Sequence, residues 1–173
     1  ILLCRKGKLK LMLKIGFGYD VHPFEQNRKL IVGGVEIKHP KDIGLYGHSD
    51  ADVLFHALID ALLGMCGMGS IGELFPETDE YKNINSRVLL DKTCLFISKK
   101  YRVTINNIDC TVISKSVRIA PVVEDMKNNI SQIIKIPTNM ISIKGKSGNG
   151  LGIGGTDQGI EAYCVVLGDI IEI

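Results

Sequence analysis

The stretch Gln158–Ile171, QGIEAYCVVLGDII, decides the fold class. Read as a strand, it places Ile160, Ala162, Cys164 and Val166 on one side. Val165 and Leu167 fall on the other side, and the strand closes on Ile170–Ile171. A strand apolar on both sides expects cover on both faces. Working back through the chain, Ile141–Lys146 reads as a strand. So does Tyr101–Lys115, with β-branched residues at Val103, Ile105, Ile108 and Val112. Ile15–His22 (IGFGYDVH) reads as a short strand entering a loop, and Leu30–Ile37 (LIVGGVEI) as a Gly-interrupted hairpin. The first expected helix runs from Asp50 to about Leu63, with Ser49 as cap and Asp52 as the acidic half of a capping box. Gly64, Gly67, Gly69 and Gly72 are expected to end it. The second starts at Ser86 and runs to about Lys100. The third starts near Pro121 and runs to about Ile134. This order predicts an α+β protein: a ferredoxin-like mixed sheet with helices on one face. Three helices cannot cover both faces, so self-association through the open face is expected.

Composition narrows the function classes. The chain has 173 residues, enough for one domain, and 45% of them are hydrophobic. Its 21 basic and 19 acidic side chains leave a net charge of +2, too little to suggest a nucleic-acid partner. Tryptophan is absent and aromatics make up 6%, which disfavours a base-stacking surface. No apolar run reaches the ~18 residues of a membrane span. The five cysteines (Cys4, Cys66, Cys94, Cys110, Cys164) form no CxxC pair, which disfavours a disulfide framework or a thiolate zinc site and suggests a reducing compartment. Ile1–Lys14 is basic and acid-free. It reads as a strand with charged ends, an expression remnant or the end of a targeting peptide, with residues 15–173 as a single domain.

Three clusters carry chemistry. In Asp20–Val21–His22, strand geometry projects a carboxylate and an imidazole to the same side. In HSDADVLFH (48–56), His56 and the following Asp60 enter a helix that is apolar nearly all round. Burying such groups is costly unless they pair with each other or bind a metal. Asp20, His22 and His56 together make three ligands with one open position, the pattern of a catalytic zinc site. The third cluster, KGKSGNG (144–150), suits either a phosphate-cradling loop or a plain glycine-rich turn. It is not a Walker A motif: the glycine spacing is wrong and no helix is expected after it.

Several stretches resemble the 2-C-methyl-D-erythritol 2,4-cyclodiphosphate synthase family of the non-mevalonate isoprenoid pathway. They are GYDVHPF, GLYGHSDADVLFHALIDALLG, IGELFPETDEYK, SRVLL, NIDCTVI and SIKGKSGNGLGIGG, and the resemblance spans about residues 15–170. It implies a homotrimer with sheets facing a central cavity and active sites between neighbours. The implied reaction turns 4-diphosphocytidyl-2-C-methyl-D-erythritol 2-phosphate into the cyclic diphosphate and CMP. Asp20, His22 and His56 match the family's zinc ligands. His48 matches a transition-state-stabilising histidine, and Ser147 falls where the family has a catalytic threonine. Ser49 matches a diphosphate contact. The resemblance places substrate contacts at Ser70 and Gly72 and at the methylerythritol loop Phe75, Pro76, Glu77, Thr78 and Asp79. It places others at the cytidine stretch Ser114–Ala120, with Arg118, Ile119 and Ala120, and at Gly145, Lys146, Gly148 and Asn149. A second metal, magnesium or manganese, is implied at the diphosphate.

Four positions depart from that family. Ser70 stands for an aspartate that contacts ribose, and Glu77 for the first aspartate of FPDTD. Asn149 stands for a glutamate near the second metal, and Thr156 for an arginine of the trimer cavity. Without the resemblance two other readings stand: a zinc-dependent phosphoester hydrolase using Asp52 or Asp60 as base, and a non-enzymatic trimeric sensor of a phosphorylated ligand. The Lys-, Asn- and Ile-rich composition and the basic leader suggest an apicoplast-type plastid stroma, with a bacterial cytoplasm as the alternative.

Overall fold

In the computed structural model, which describes residues 11–173, bare backbone sets how the first helix meets the sheet. Strand β1 (Met12–Gln26) turns its even-numbered residues toward the helices, and Gly16 and Gly18 lie on that face. A Cβ on Gly18 would stand 1.9 Å from the Ala57 carbonyl oxygen, and one on Gly16 1.8 Å from that of Ala61. No other residue type permits this approach.

The hairpin β2 (Ile31–Val32) and β3 (Val35–Glu36) follows, then β4 (Ile43–Leu45) and α1 (Val53–Cys66). Next come α2 (Ile71–Leu74), α3 (Ser86–Ser98), β5 (Tyr101–Ile113), α4 (Val123–Ile134) and β6 (Ile141–Lys146). The one-turn α5 (Gly152–Gly155) and β7 (Gly159–Glu172) end the described chain. Every residue of α1 except Asp60 and Gly64 is buried, because the helix is covered by β1 and β7 on one side and α3 on another.

The five-stranded sheet has the order β4-β1-β7-β5-β6. The central strand β7 pairs antiparallel with β1, Asp20 opposite Ala162, and with β5, Cys110 opposite Cys164. Strands β5 and β6 are parallel neighbours joined through α4. The mixed α+β sheet matches the sequence expectation, but the ferredoxin-like connectivity does not. In that fold each of the two βαβ units is split by a strand. Here β7 splits β1 from β5, but β5 and β6, joined through α4, are direct neighbours. The strand apolar on both sides takes the centre of the sheet, its helix-side residues buried and Val165 and Leu167 on the open face half-buried.

Local boundaries also shift. The first helix starts at Val53, three residues later than expected. Asp52 is its N-cap, accepting from Leu54 and Phe55, so Ser49 is not the cap. Gly64 lies inside the helix, and Gly67, with φ 65°, ends it. Helix α3 starts at Ser86 as expected, with Asn85 as its N-cap. A helical turn, α5, does follow the glycine-rich loop. Strand β1 is longer than Ile15–His22, because β7 pairs with it from Met12 and β4 pairs with its far end. Cys66, Cys94, Cys110 and Cys164 are free thiols; Cys4 and the rest of 1–10 lie outside the described residues.

Opposite the helices, β1 exposes Leu13, Ile15, Phe17 and Tyr19, at 65%, 67%, 61% and 39%. This is the open apolar face expected from the strand pattern. No helix among the described residues is long and apolar enough to cross a membrane.

Candidate metal centre

Asp20 and His22 occupy the next two even positions after the glycines of β1. His56 lies four residues beyond the N-cap of α1. The close helix approach therefore brings His56 onto the two strand residues. Asp20 Oδ2 lies 2.9 Å from His22 Nε2 and 3.0 Å from His56 Nδ1, and the two imidazole nitrogens are 3.0 Å apart.

Each imidazole is fixed from behind. His22 Nδ1 donates to the Tyr46 carbonyl oxygen at 2.6 Å, so its Nε2 lone pair faces the triad. His56 Nε2 faces Ser86 Oγ at 2.9 Å and Ser49 Oγ at 3.1 Å. The Ser86 hydroxyl donates to Asp50, whose carboxylate also accepts from the Ser86 amide at 2.9 Å. Ser86 Oγ must then accept from His56 Nε2–H, which leaves Nδ1 as a ligand atom.

Burial raises the Asp20 carboxyl, but His22 and His56, which donate to it only when they carry the extra proton, outweigh burial and hold the group far below the usual carboxylate range. Burial lowers His22, while the hydrogen bond and charge of Asp20 raise it, and the net direction is up. The negative potential that holds a proton on His22 also suits a divalent cation. Two nitrogens and one carboxylate oxygen are a zinc donor set. Bonds of about 2.0 Å in tetrahedral geometry put ligand atoms about 3.3 Å apart. The spacing here is within a few tenths of an ångström of that, so the residues fit a metal ion with a fourth position open to the exterior.

Arg28 organises the loop beside the triad. Its guanidinium donates to the carbonyls of Leu45 (3.2 Å), Gly47 (3.2 Å) and Ser49 (2.7 Å), and to Asn83 Oδ1 (3.1 Å). His48, held by this loop, places Nε2 2.6 Å from the Thr78 carbonyl oxygen. It thereby meets the segment 70–79, in which Ser70 donates to Glu73, Gly72 lies within α2, and Phe75 packs on Tyr81. Pro76, Glu77, Thr78 and Asp79 are exposed there. Ser49 is buried against His56.

A second group forms at the ends of β5 and β6. The buried Ser114 accepts from the Val117 amide at 3.1 Å, which folds the loop that carries Arg118, Ile119 and Ala120. Ile119 packs beneath Gly145, where a Cβ would come within 3.1 Å of it. Lys146, Ser147 and Asn149 are exposed, and Ser147 donates to Asn149 at 3.2 Å. Gly148 adopts φ 68° in that turn. The triad and this second group stand at the same level of the sheet but on different strands. From β1 to β6 is three strand spacings, about 14 Å.

Two sequence alternatives fail on these contacts. Asp60 does not pair with His56; it accepts from the Ile71 amide at 2.7 Å and ties α2 to α1. Asp52 is fully buried and accepts from four backbone amides, of Gly33, Gly34, Leu54 and Phe55. Asp52 is therefore not free to activate water. The sequence reading missed Arg28, Asp50 and Ser86. Only SRVLL signalled Ser86, and there it read as a helix start.

A mixed α+β sheet with a His, His, Asp centre on its helix side defines a protein whose candidate metal site is built from a strand and the helix packed on it. The chain belongs to the YgbB family, whose model matches residues 13–169. It is 64% identical over 162 residues to the 2-C-methyl-D-erythritol 2,4-cyclodiphosphate synthase of Petrotoga mobilis, covering 94% of this chain and 100% of that protein. Identity to the enzyme of the same name from Caldicellulosiruptor bescii is 51% over 157 residues, covering 90% and 98%. The solved Plasmodium falciparum IspF–CDP complex superposes with a TM-score of 0.76 at 33% identity, covering 92% of this chain and 96% of that one. A CDP-bound 2C-methyl-D-erythritol-2,4-cyclodiphosphate synthase gives 0.80 at 28%, covering 90% and 100%.

Proposed function

We propose that this chain is a phosphorus–oxygen lyase that converts 4-diphosphocytidyl-2-C-methyl-D-erythritol 2-phosphate to 2-C-methyl-D-erythritol 2,4-cyclodiphosphate and CMP. The observation that carries the reading is the Asp20–His22–His56 triad, its tautomers set for one cation, in a chain 64% identical over 162 residues to a synthase of that name.

The substrate's 2-phosphate oxygen attacks the β-phosphorus, the β-phosphorus–oxygen bond to CMP breaks, and CMP leaves with that oxygen. Nucleophile and leaving group sit on one molecule, so the protein mainly aligns them and balances charge. Asp20, His22 and His56 would hold zinc, which would supply Lewis-acid polarisation at the β-phosphate. His48, fixed against the Thr78 carbonyl, faces the transferring group together with Ser49. The segment Ser70–Asp79 takes the methylerythritol end. The loop Ser114–Ala120 reads cytosine through backbone groups. Lys146, Gly148 and Asn149 hold the phosphates and Ser147 supplies the catalytic hydroxyl, where magnesium or manganese would be the second metal. Asn149 offers that ion no carboxylate.

The separation of the two groups within one protomer supports a homotrimer whose sites lie between neighbours. The open stripe of Leu13, Ile15, Phe17 and Tyr19 supports the same assembly, with the sheets facing a central cavity. Thr156 brings no charge to that cavity. Petrotoga mobilis and Caldicellulosiruptor bescii supply the curated relatives cited above, which favours the bacterial cytoplasm over a plastid stroma. A hydrolase or a sensor has no matching relative among them.

The test is product analysis. The chain is expected to release CMP and the cyclic diphosphate in equal amounts. A chelator should abolish turnover and zinc restore it. His56→Ala should lose about a thousandfold, the several kcal/mol that a Lewis acid supplies. Linear hydrolysis products, or turnover indifferent to both chelator and His56→Ala, would refute the reading.

A further inference from the structure

Three of the four histidines gather around the triad, and the fourth is the most buried of all. His39, between β3 and β4, is 2% exposed. Burying an imidazole is costly unless both nitrogens are satisfied. Here both are. Nδ1 accepts from the Lys41 amide at 3.0 Å, so Nε2 carries the proton and donates to Ser116 Oγ at 2.8 Å. The Phe24 ring packs against the imidazole with centroids 4.8 Å apart.

The Ser116 hydroxyl is then left to donate onward. Asp157 lies near it, its carboxyl held below the usual range by Ser116 and Lys41; Lys41 Nζ is 3.3 Å from Oδ2, while no hydrogen bond closes on the buried Oδ1. Serine, histidine and aspartate here run in the opposite sense to a hydrolytic triad. There the carboxylate takes Nδ1–H and Nε2 receives the serine proton. Here Nδ1 is the acceptor and Nε2 gives its proton away, so Ser116 is not activated as a nucleophile. The arrangement is a tether.

What the tether joins is informative. Ser116 lies in the loop 114–120, and Asp157 ends the glycine-rich stretch that begins at Ser147. His39 comes from a segment with no other role in the site. We propose that His39, through Ser116, is a positioning residue that holds the loop 114–120 in the shape that receives a cytidine diphosphate. This rests on the nucleotide reading above.

Amide hydrogen exchange and CDP titration test it on the full chain. In the ligand-free protein, Ser116→Ala should speed exchange across 116–120 about tenfold, the loss of one buried hydrogen bond. CDP affinity should fall about tenfold as well. KM should rise with kcat held, and metal affinity should stay unchanged. Ser116→Thr, which keeps the hydroxyl, should restore both readouts. His39→Ala added to Ser116→Ala should cause no further loss, because the two act as one link. Unchanged exchange in Ser116→Ala overturns the tether whether or not CDP binds. Faster exchange with unchanged CDP affinity overturns the positioning role. A wild-type chain that binds no CDP refutes the nucleotide reading and this role with it.

Discussion

Ser86 has one hydroxyl proton and gives it to Asp50, so toward His56 its oxygen can only accept. That constraint, one residue removed from the proposed ion, sets which imidazole nitrogen is free to meet it. Outer partners of this kind are worth about 10–100-fold in metal affinity. Ser86→Ala is therefore expected to weaken zinc binding by about that factor, read by competition with a chromophoric chelator. In the metal-free variant, the ¹⁵N imidazole signals of His56 should change from the Nε2–H form to a mixture of tautomers. Wild-type affinity in Ser86→Ala would show that Ser49, 3.1 Å from the same nitrogen, suffices alone. The triad itself was legible in the sequence because period-two spacing aligned Asp20 with His22, and because His56 made no sense in an apolar helix without a partner. Ser86, Asp50 and Arg28 were not legible. Their partners lie 19 to 36 residues away for Arg28–Gly47, Arg28–Ser49 and Asp50–Ser86 chief among them, and no local pattern encodes such contacts.

At the scale of elements, the site depends on how far α1 sinks into the sheet. Gly18→Ala would push the helix from β1 at its contact with Ala57, since the added carbon meets backbone that cannot rotate away. Overpacking of this kind costs about 3 kcal/mol. The melting temperature should drop by about 6–10 °C. Zinc affinity should fall too, because His56 moves away from Asp20 and His22. Gly64→Ala provides the contrast. Its Cβ would meet only the Phe17 carbonyl oxygen, at 3.7 Å, and it lies in the helix interior. It should raise stability by about 0.5–1 kcal/mol and leave metal binding untouched. Equal destabilisation by both substitutions would mean that helix propensity, and not helix–sheet distance, governs this contact. Element types were readable because the alternation of 159–172 and the apolar run of 53–66 are long. Helix starts were read unevenly: Ser86 does open α3, but Ser49 resembles a cap while Asp52 binds the amides of α1 and leaves Ser49 to His56.

At the scale of the whole molecule, the sequence announced an uncovered sheet face but could not say which strands would separate the two halves of the site. The pairing answers this: β7 and β5 stand between the triad on β1 and the loop that follows β6. In the homotrimer proposed above, a substrate that must reach both would take them from neighbouring protomers, and the dependence has a measurable form. His56→Ala removes the triad half and Ser147→Ala the loop half, so each variant alone is expected to be nearly inactive. Dissociated, mixed in equal amounts and reassembled as trimers, they should regain about a quarter of wild-type activity. A site is intact when its triad comes from a Ser147→Ala protomer and its loop from a His56→Ala neighbour, which random mixing gives at about one interface in four. If both halves act within one protomer, no mixed trimer can hold an intact site and activity stays at the level of the single variants. Adding Phe17→Glu to both partners should keep each triad's zinc affinity and abolish the recovery, because a carboxylate placed on the open apolar stripe opposes the assembly that completes the site.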